Sequence, residues 1–258
     1  MKQSAWLRAA ALTAYVFLYA PLVIVVIYSF NDSSMNAQWV GFTVKWYEKL
    51  FNNEQMLIAA RNSLIIGVTA SAVSTVLGTM AGYAMYRFRL RLLPAMVVAP
   101  IAIPEILVGV SLLLFFVMLN LTLGMLSILL AHIAFCIGFV AIVVRARLAG
   151  LDESLVEAAR DLGATPWQAF RNVTLPLIIP GVVAGALMAF TLSIDDFVIT
   201  FFTAGPDSRT LPLVIYTMVK ITVTPEINAV STLLMLLTLF LIVVATKLVP
   251  SVLKTREL

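Results

Sequence analysis

Several long and almost uncharged apolar stretches run through this chain, and they restrict its fold more than any other feature of the sequence. The chain has 258 residues, of which 62% are hydrophobic and 12% are charged, and its mean hydropathy is +1.03. Soluble globular domains have about 45–50% apolar and about 25% charged residues. A helix of about 20 apolar residues spans a hydrocarbon core of about 30 Å. We therefore expect an all-α membrane protein that crosses the bilayer several times.

The apolar stretches predict six transmembrane helices within one transmembrane domain, residues 1–258. The predicted spans cover residues 9–30, 57–86, 93–119, 121–144, 177–203 and 228–248. Most arginines and lysines flank the spans on one side of the bilayer. Since cytoplasmic loops carry an excess of Lys and Arg, both termini are predicted to be cytoplasmic.

Two segments on the predicted outer side are more ordered than plain loops. In residues 43–51, the side chains of Trp46, Tyr47, Leu50 and Phe51 share one helical face, which is typical of a short helix at the membrane surface. Residues 211–223 are apolar but too short to span, and they are predicted to form a half-helix.

Composition and motifs also exclude several function classes. The formal charge of +4 belongs to basic residues at span ends, so it predicts membrane orientation rather than nucleic-acid binding. No G-x-x-x-x-G-K-[ST] loop is present, so we expect no nucleotide or other cofactor in this chain and no ATP hydrolysis by it. His132 and Cys136 share a helical face, but two ligands make a poor metal site, and a packed, hydrogen-bonded histidine is expected. No nucleophile–base–acid constellation is present, so an enzyme is not expected.

The segment 151–175, between the fourth and fifth predicted spans, predicts two short helices with a sharp corner between them. Its first half predicts a short helix that begins at Glu153 and is capped by Asp152. The apolar face of this helix comprises Leu155, Ala159 and Leu162, and its polar side chains are expected in solvent.

A sharp corner and a second short helix are predicted to follow. Gly163 is expected to end the first helix in a left-handed conformation. Thr165 is placed to cap the second helix, with Pro166 at its first position and Gln168 completing a capping box. Pro176 is expected to begin the next span.

This segment resembles the cytoplasmic signature of the inner-membrane permeases of binding-protein-dependent ABC importers. The family pattern is E-A-A, three residues, G, nine residues and I-x-L-P. The matching residues are Glu157, Ala158, Ala159, Gly163, Leu175 and Pro176, with Val173 in place of the isoleucine. The resemblance implies a type I importer (MetI-like) fold and a coupling helix that seats in a groove of a separate ATPase subunit, which would bind the ATP.

A second set of residues is similar to the polyamine (spermidine/putrescine) permeases of that family. These residues are Tyr28-Ser29-Phe30-Asn31, Trp39-Val40-Gly41-Phe42-Thr43, Trp46-Tyr47, residues 190–197, Gly205-Pro206 and Thr210-Leu211-Pro212. The resemblance implies a bacterial inner-membrane protein that works with a second, related permease, two ATPase subunits and a periplasmic substrate-binding protein.

Three carboxylates lie inside predicted spans: Glu105 in the third, and Asp195 and Asp196 in the fifth. A charge near the bilayer centre costs at least about 2.5–3.5 kcal/mol, so such residues normally face a polar cavity or a partner charge. Acidic side chains beside aromatic rings suit a chain of ammonium groups, and Phe190, Phe197, Phe201 and Phe202 supply rings nearby. We expect Glu105 and one of the two aspartates to line a cation pathway.

Three alternatives remain open from the sequence. The aspartates could instead bond helix ends, or pair with Arg209 or Lys220. The solute could be iron, sulfate or phosphonate, because such permeases share the coupling signature. The chain could also be a stand-alone secondary transporter, which would work without an ATPase.

Overall fold

The computed structural model describes residues 5–33, 38–88, 92–221 and 224–248. These residues form helices joined by short loops, with an isolated antiparallel bridge between Asn31 and Phe42. The elements, in chain order, are α1 Ala5–Tyr28, α2 Lys45–Phe51, α3 Glu54–Arg87, α4 Leu92–Ala102, α5 Glu105–Met118, α6 Met125–Ala149, α7 Ser154–Asp161, α8 Pro166–Ala169, the π-helix π1 Phe170–Thr174, α9 Leu175–Ile194, α10 Val198–Thr203, α11 Leu211–Ile221 and α12 Pro225–Leu248.

Within the described residues, five helices are long and apolar enough to cross a membrane. The count becomes six if α4 and α5, which are bent by 107° at a short break, are taken as one span. The predicted all-α, multi-span class is therefore confirmed, and six is the upper count. The cytoplasmic position of the termini stays a prediction.

Two predicted spans are interrupted where the sequence analysis expected continuous helices. The third is broken between Ala102 and Glu105, where Pro104 cannot donate a backbone hydrogen bond and disfavours helical geometry in the residue before it. The fifth ends at Ile194 rather than at Thr203, and residues 195–197 separate α9 from α10. Glu105 directly follows the first interruption, and Asp195 and Asp196 lie within the second.

The two predicted outer segments are helical. In α2, Trp46 and Leu50 are buried, whereas the Phe51 side chain is 62% exposed. The short apolar helix predicted over residues 211–223 is α11, and Val223 lies outside the described residues.

The chain divides into two units, residues 1–58 with 214–239 and residues 59–213 with 240–258. In the first unit, Glu226 is buried at the start of α12. Its Oε2 accepts from Lys49 Nζ at 2.8 Å, and its Oε1 accepts a long hydrogen bond from Asn53 Nδ2 at 3.5 Å. This carboxylate therefore joins α12 to α2 and to the residue before α3.

The core of the second unit lies around α6. A Cβ added at Gly78 of α3 would lie 2.6 Å from Val140 Cβ, and one added at Gly185 of α9 would lie 3.2 Å from Val140 Cγ1. Glycines of two neighbouring helices thus approach the same α6 residue, as close helix packing in lipid requires. The buried residues of this core are Cys136, Val140, Val144, Leu148, Ile178 and Ala189.

We expect Gly82→Ala to destabilise the protein by about 1–3 kcal/mol, because overpacking a close contact forces helices apart. The new Cβ would lie 2.8 Å from the Ala141 carbonyl oxygen of α6, a contact that backbone must move to relieve. The measurement is the thermal unfolding midpoint in detergent. Gly41→Ala is the matched control, since its Cβ would meet no atom within 4 Å. Equal midpoints for the two variants would contradict the packing described for α6.

Candidate functional site

The first helix of the coupling segment (residues 151–175) is α7, and its start is held by Asp152, as predicted. Asp152 Oδ1 accepts a hydrogen bond from the Ser154 backbone N–H at 3.0 Å. Hydrogen bonds from the Ser154 side chain and backbone lower the pKa of the Asp152 carboxyl group below its ordinary value. The helix runs over Ser154–Asp161, one residue later than predicted.

The predicted corner is confirmed at Gly163, whose φ of +88° lies in the left-handed region. The Gly163 N–H donates to the Arg160 carbonyl oxygen at 2.9 Å, and the Ala164 N–H donates to the Ala159 carbonyl oxygen at 3.1 Å. This pair of bonds is the Schellman arrangement, which satisfies the last carbonyl groups of a helix.

The predicted capping box of the second helix is confirmed as well. Thr165 Oγ1 accepts from the Gln168 N–H at 3.3 Å, and Gln168 Oε1 accepts from the Thr165 N–H at 2.8 Å. Pro166 occupies the first helical turn, where its missing N–H needs no partner.

The prediction that Pro176 begins the next span is wrong. From Pro166 the chain is helical through α8, π1 and α9 to Ile194, a continuous stretch of 29 residues. Pro176 cannot donate to a carbonyl of the preceding turn, and the wide π turn lies directly before this missing bond. The second helix of the coupling segment is therefore the end of the span itself.

Part of the predicted apolar face of α7 points to solvent. Leu162 is 91% exposed and Leu155 is 47% exposed, whereas Val156 and Ala159 are partly buried. Trp167 on α8 is also exposed, at 67%. The apolar face predicted for α7 is therefore only partly covered by this chain, and the coupling segment carries apolar side chains on its free surface.

The inner side of the same segment is fastened to α3. The Tyr86 hydroxyl donates to Glu153 Oε1 at 2.6 Å, and the Tyr83 ring meets Phe170 edge-on at 5.0 Å. Between these helices lies a cavity of about 220 Å³ whose lining includes Tyr83, Tyr86, Val156, Arg160 and Phe170.

The residues that matched the family signature occupy two surroundings. Glu157, Ala158 and Gly163 are exposed at the α7 surface, and Ala159 is partly buried. Leu175 packs against the core around α6, whereas Pro176 is exposed. The signature thus combines residues that are exposed at the surface of α7 with Leu175, which packs against the core.

The three predicted carboxylates come together in the second unit. Glu105 begins α5 directly after the α4–α5 break, and its carboxyl group is close enough to Asp196 and Asp195 to interact with them electrostatically. Glu105 and Asp195 are exposed in the structure, whereas the Asp196 side chain is 3% exposed. The structure therefore separates the two aspartates that the sequence could not distinguish.

Asp196 is the carboxylate that bonds a helix end, as one of the alternatives held. Its Oδ1 accepts from the Ile199 N–H at 3.3 Å, and its Oδ2 accepts from the Thr200 N–H at 2.8 Å. The Thr200 hydroxyl donates to Oδ2 at 2.8 Å. These bonds satisfy the first turn of α10.

The predicted packed histidine, His132, is the partner of Asp196, a pairing that the sequence did not predict. Its Nε2 lies 3.2 Å from Asp196 Oδ2, and its ring is 2% exposed. The pairing with Arg209 or Lys220 is not seen, since the ion pairs within the described ranges are Lys45–Asp32, Lys49–Glu226 and His132–Asp196. One feature of the sequence could have predicted this pairing: His132 is an ionisable residue inside a predicted span, and such residues usually pair with another polar group there.

A resident metal site is not found among the residues that the structure describes, because no group of three His, Cys, Asp or Glu side chains is arranged to hold an ion. The arrangement can bind cations at its two accessible carboxylates.

Comparison with protein families gives one match, to the family described as "Binding-protein-dependent transport system inner membrane component", over residues 74–255. The chain is 42% identical over 241 residues to the spermidine/putrescine transport system permease protein PotC of Escherichia coli strain K12, covering 92% of this chain and 91% of that protein. It is 43% identical over 243 residues to the putrescine transport system permease protein PotI of the same strain, covering 90% of this chain and 86% of that protein.

Solved structures show the same fold at lower identity. A chain of a bacterial ABC transporter involved in the import of the acidic polysaccharide alginate matches with a TM-score of 0.70 and 18% identity, over 96% of both chains. A chain of the inward-facing MetNI methionine ABC transporter matches with a TM-score of 0.64 and 22% identity, over 78% of this chain and 100% of that one. The predicted type I importer fold is confirmed.

The start of α7 is expected to loosen in acid. Because the folded-state pKa of Asp152 is lowered, its contribution to the helix is present above the ordinary carboxyl pKa and is lost as pH falls through the lowered value. The measurement is the amide hydrogen-exchange protection of residues 154–157 as a function of pH. Asp152→Asn, whose amide oxygen can still accept the bond, is the control and should show no such step. A step of the same size in both proteins would rule out Asp152 as its origin.

Proposed function

This chain belongs to the binding-protein-dependent transport system inner membrane component family, and on that premise we propose that it is the permease subunit of an ABC importer that carries polyamines such as spermidine and putrescine into the cytoplasm. It is a multi-pass protein of the bacterial inner membrane. The named relatives that support the solute are permeases of spermidine/putrescine and putrescine transport systems.

The observation that carries the proposal is the meeting of carboxylates at two helix breaks. Glu105 follows the α4–α5 break, and Asp195 and Asp196 lie in the α9–α10 break. Interrupted helices inside a membrane are tolerated where they are buried in protein or line a cavity, and transporters place substrate and ion sites at such breaks. The charge at these two breaks is negative, which favours a cationic solute.

The proximity of Glu105 to Asp196 strengthens this argument. Two neighbouring carboxylates repel each other unless a proton or a cation lies between them. An ammonium group that reaches Glu105 and Asp195 would therefore relieve repulsion as well as gain attraction. Asp196, which is buried and bonded to α10, would act from behind these two accessible groups.

Aromatic rings line the same region and suit the methylene segments of a polyamine. Phe197 and Phe201 have ring centroids 5.6 Å apart, and Phe201 and Phe202 have centroids 5.3 Å apart. Phe202 packs against Gly109 of α5, where a Cβ would lie 2.6 Å from its Cδ2. Ring faces attract ammonium groups, so rings and carboxylates together match alternating charge and hydrocarbon.

The coupling segment supplies a route for force from an ATPase subunit. Leu162 and Trp167 are exposed apolar side chains beside the Gly163 corner, as expected of a surface that a partner covers. The helical stretch Pro166–Ile194, about 43 Å long at 1.5 Å per residue, joins that surface to the break at Asp195. A push at the corner would therefore move the carboxylate break as part of one body.

The assembly that follows has four kinds of subunit. A second, related permease would complete the pathway as a heterodimer, and two ATPase subunits would bind ATP and press on the coupling segment. A periplasmic substrate-binding protein would deliver the solute. The description of the family as a binding-protein-dependent transport system supports the general scheme, and membrane lipid would surround the apolar helices.

Removal of one accessible carboxylate should weaken polyamine transport. We expect Glu105→Gln and Asp195→Asn each to raise the KM for putrescine by about tenfold, since a hydrogen bond to a charged group contributes about 1.5–3 kcal/mol. The measurement is uptake by proteoliposomes that contain the whole importer. Glu54→Gln is the control, because Glu54 is an exposed carboxylate in the first turn of α3. Unchanged putrescine uptake in both pathway variants would remove them from the pathway.

Strain at the corner should uncouple ATP hydrolysis from transport. An L-residue in the left-handed conformation costs about 1–2 kcal/mol, so Gly163→Ala should displace the exposed surface of α7. We expect a severalfold lower uptake rate per ATP hydrolysed, measured on assembled importer. Gly150→Ala is the matched control, because Gly150 has a φ of −94° and room for a methyl group. Full coupling in the Gly163 variant would refute this role for the corner.

A further inference from the structure

His132, the single histidine of the chain, touches the α9–α10 break at three places. Its Nδ1 lies 2.7 Å from Ser193 Oγ before the break, and its Nε2 lies 3.0 Å from Thr200 Oγ1 after it. The same Nε2 lies 3.2 Å from Asp196 Oδ2 within the break. One ring on α6 therefore ties together both helix ends and the carboxylate between them.

The hydrogen bonds around Asp196 fix where the ring must carry its hydrogen. The Thr200 hydroxyl donates its hydrogen to Asp196 Oδ2 at 2.8 Å, so toward His132 it can only accept. Nε2 thus faces two oxygen acceptors and needs an N–H. Nδ1 faces the Ser193 hydroxyl, which can donate or accept, so either charge state of the ring keeps every bond.

We propose that His132 is a positioning residue of the cation pathway, which holds the Asp196 carboxylate in place through its Nε2–H. Glu105 is close enough to Asp196 for their charges to interact, so the electric field at Glu105 depends on where that carboxylate lies. His132 itself is 2% exposed and does not reach solute. The transport readout of this proposal rests on the proposed function.

Three substitutions separate positioning from core packing. Gln places an amide N–H near the position of Nε2, so His132→Gln keeps the bond to Asp196. Asn reaches only as far as Nδ1, so His132→Asn keeps the bond to Ser193 and loses the one to Asp196. Leu fills the space without any bond. If His132 served packing alone, Leu would be tolerated at least as well as Gln.

The first test needs no solute. The full chain is labelled with ring-¹⁵N histidine, purified through a tag without histidine and placed in lipid nanodiscs, where it gives one ring to observe by NMR. We expect a protonated Nε2 whose signal shifts in Asp196→Asn and stays in place in Asp195→Asn. A hydrogen on Nδ1 alone, or a signal indifferent to Asp196→Asn, would overturn the proposal.

The second test is a double-mutant cycle on putrescine uptake by the assembled importer. We expect His132→Gln to transport within about twofold of wild type and His132→Asn and His132→Leu to raise the KM by about tenfold, which is the effect of losing about 1.4 kcal/mol. In the Asp196→Ala background, which leaves no side-chain acceptor for Nε2–H, His132→Leu should add no further loss. Equal uptake by the Gln and Leu variants, or a full additional loss in that background, would contradict positioning.

Failure of the wild-type importer to take up polyamine would count against the proposed function, while the NMR result decides the role of His132 separately.

Discussion

The hydrocarbon core of a bilayer offers no hydrogen-bond partner, and the inner part of this structure follows from that constraint. When α9 ends at Ile194, the first N–H groups of α10 need acceptors, and the Asp196 carboxylate supplies them. That buried charge in turn needs a donor, which is His132 of α6. One interruption of a helix thus determines a carboxylate, a histidine and the hydroxyl groups around them.

The same helix that ends at this interruption begins at the coupling corner. A proline at position 176 would normally weaken the helical ladder, and the π turn before it keeps the stretch Pro166–Ile194 continuous across the missing bond. Leu175 fastens this stretch to the core around α6, and Arg147 Nε donates to the Leu177 carbonyl oxygen at 3.2 Å. The end of the span that meets the corner is therefore held by side-chain packing and by a hydrogen bond, and it moves with the helices beside it.

The sequence predicts what local chemistry determines and fails where distant residues decide. The corner at Gly163 and the capping box of Thr165 depend on a few neighbouring residues, and both are confirmed. The breaks before Glu105 and after Ile194 depend on partners supplied by other helices, so a hydropathy pattern read them as continuous spans. Apolar periodicity also places Leu162 on the apolar face of α7 without showing whether this chain or another subunit covers it, and in the structure Leu162 is exposed.

In the proposed cation pathway, the position of the carboxylates on separate helices would explain how one site can both bind a cation and release it. Glu105 belongs to α5, whereas Asp195 and Asp196 follow α9, so movement of these helices changes the distance between the charges. The attraction between unit charges falls with distance and with access of water, from about 4 kcal/mol at 4 Å near a protein surface to about 1 kcal/mol at the same distance in water. A cation gains most when the carboxylates are close and shielded, and least when they separate toward an aqueous opening. Affinity therefore depends on conformation, and alternating access requires that a ligand favour one conformation over the other.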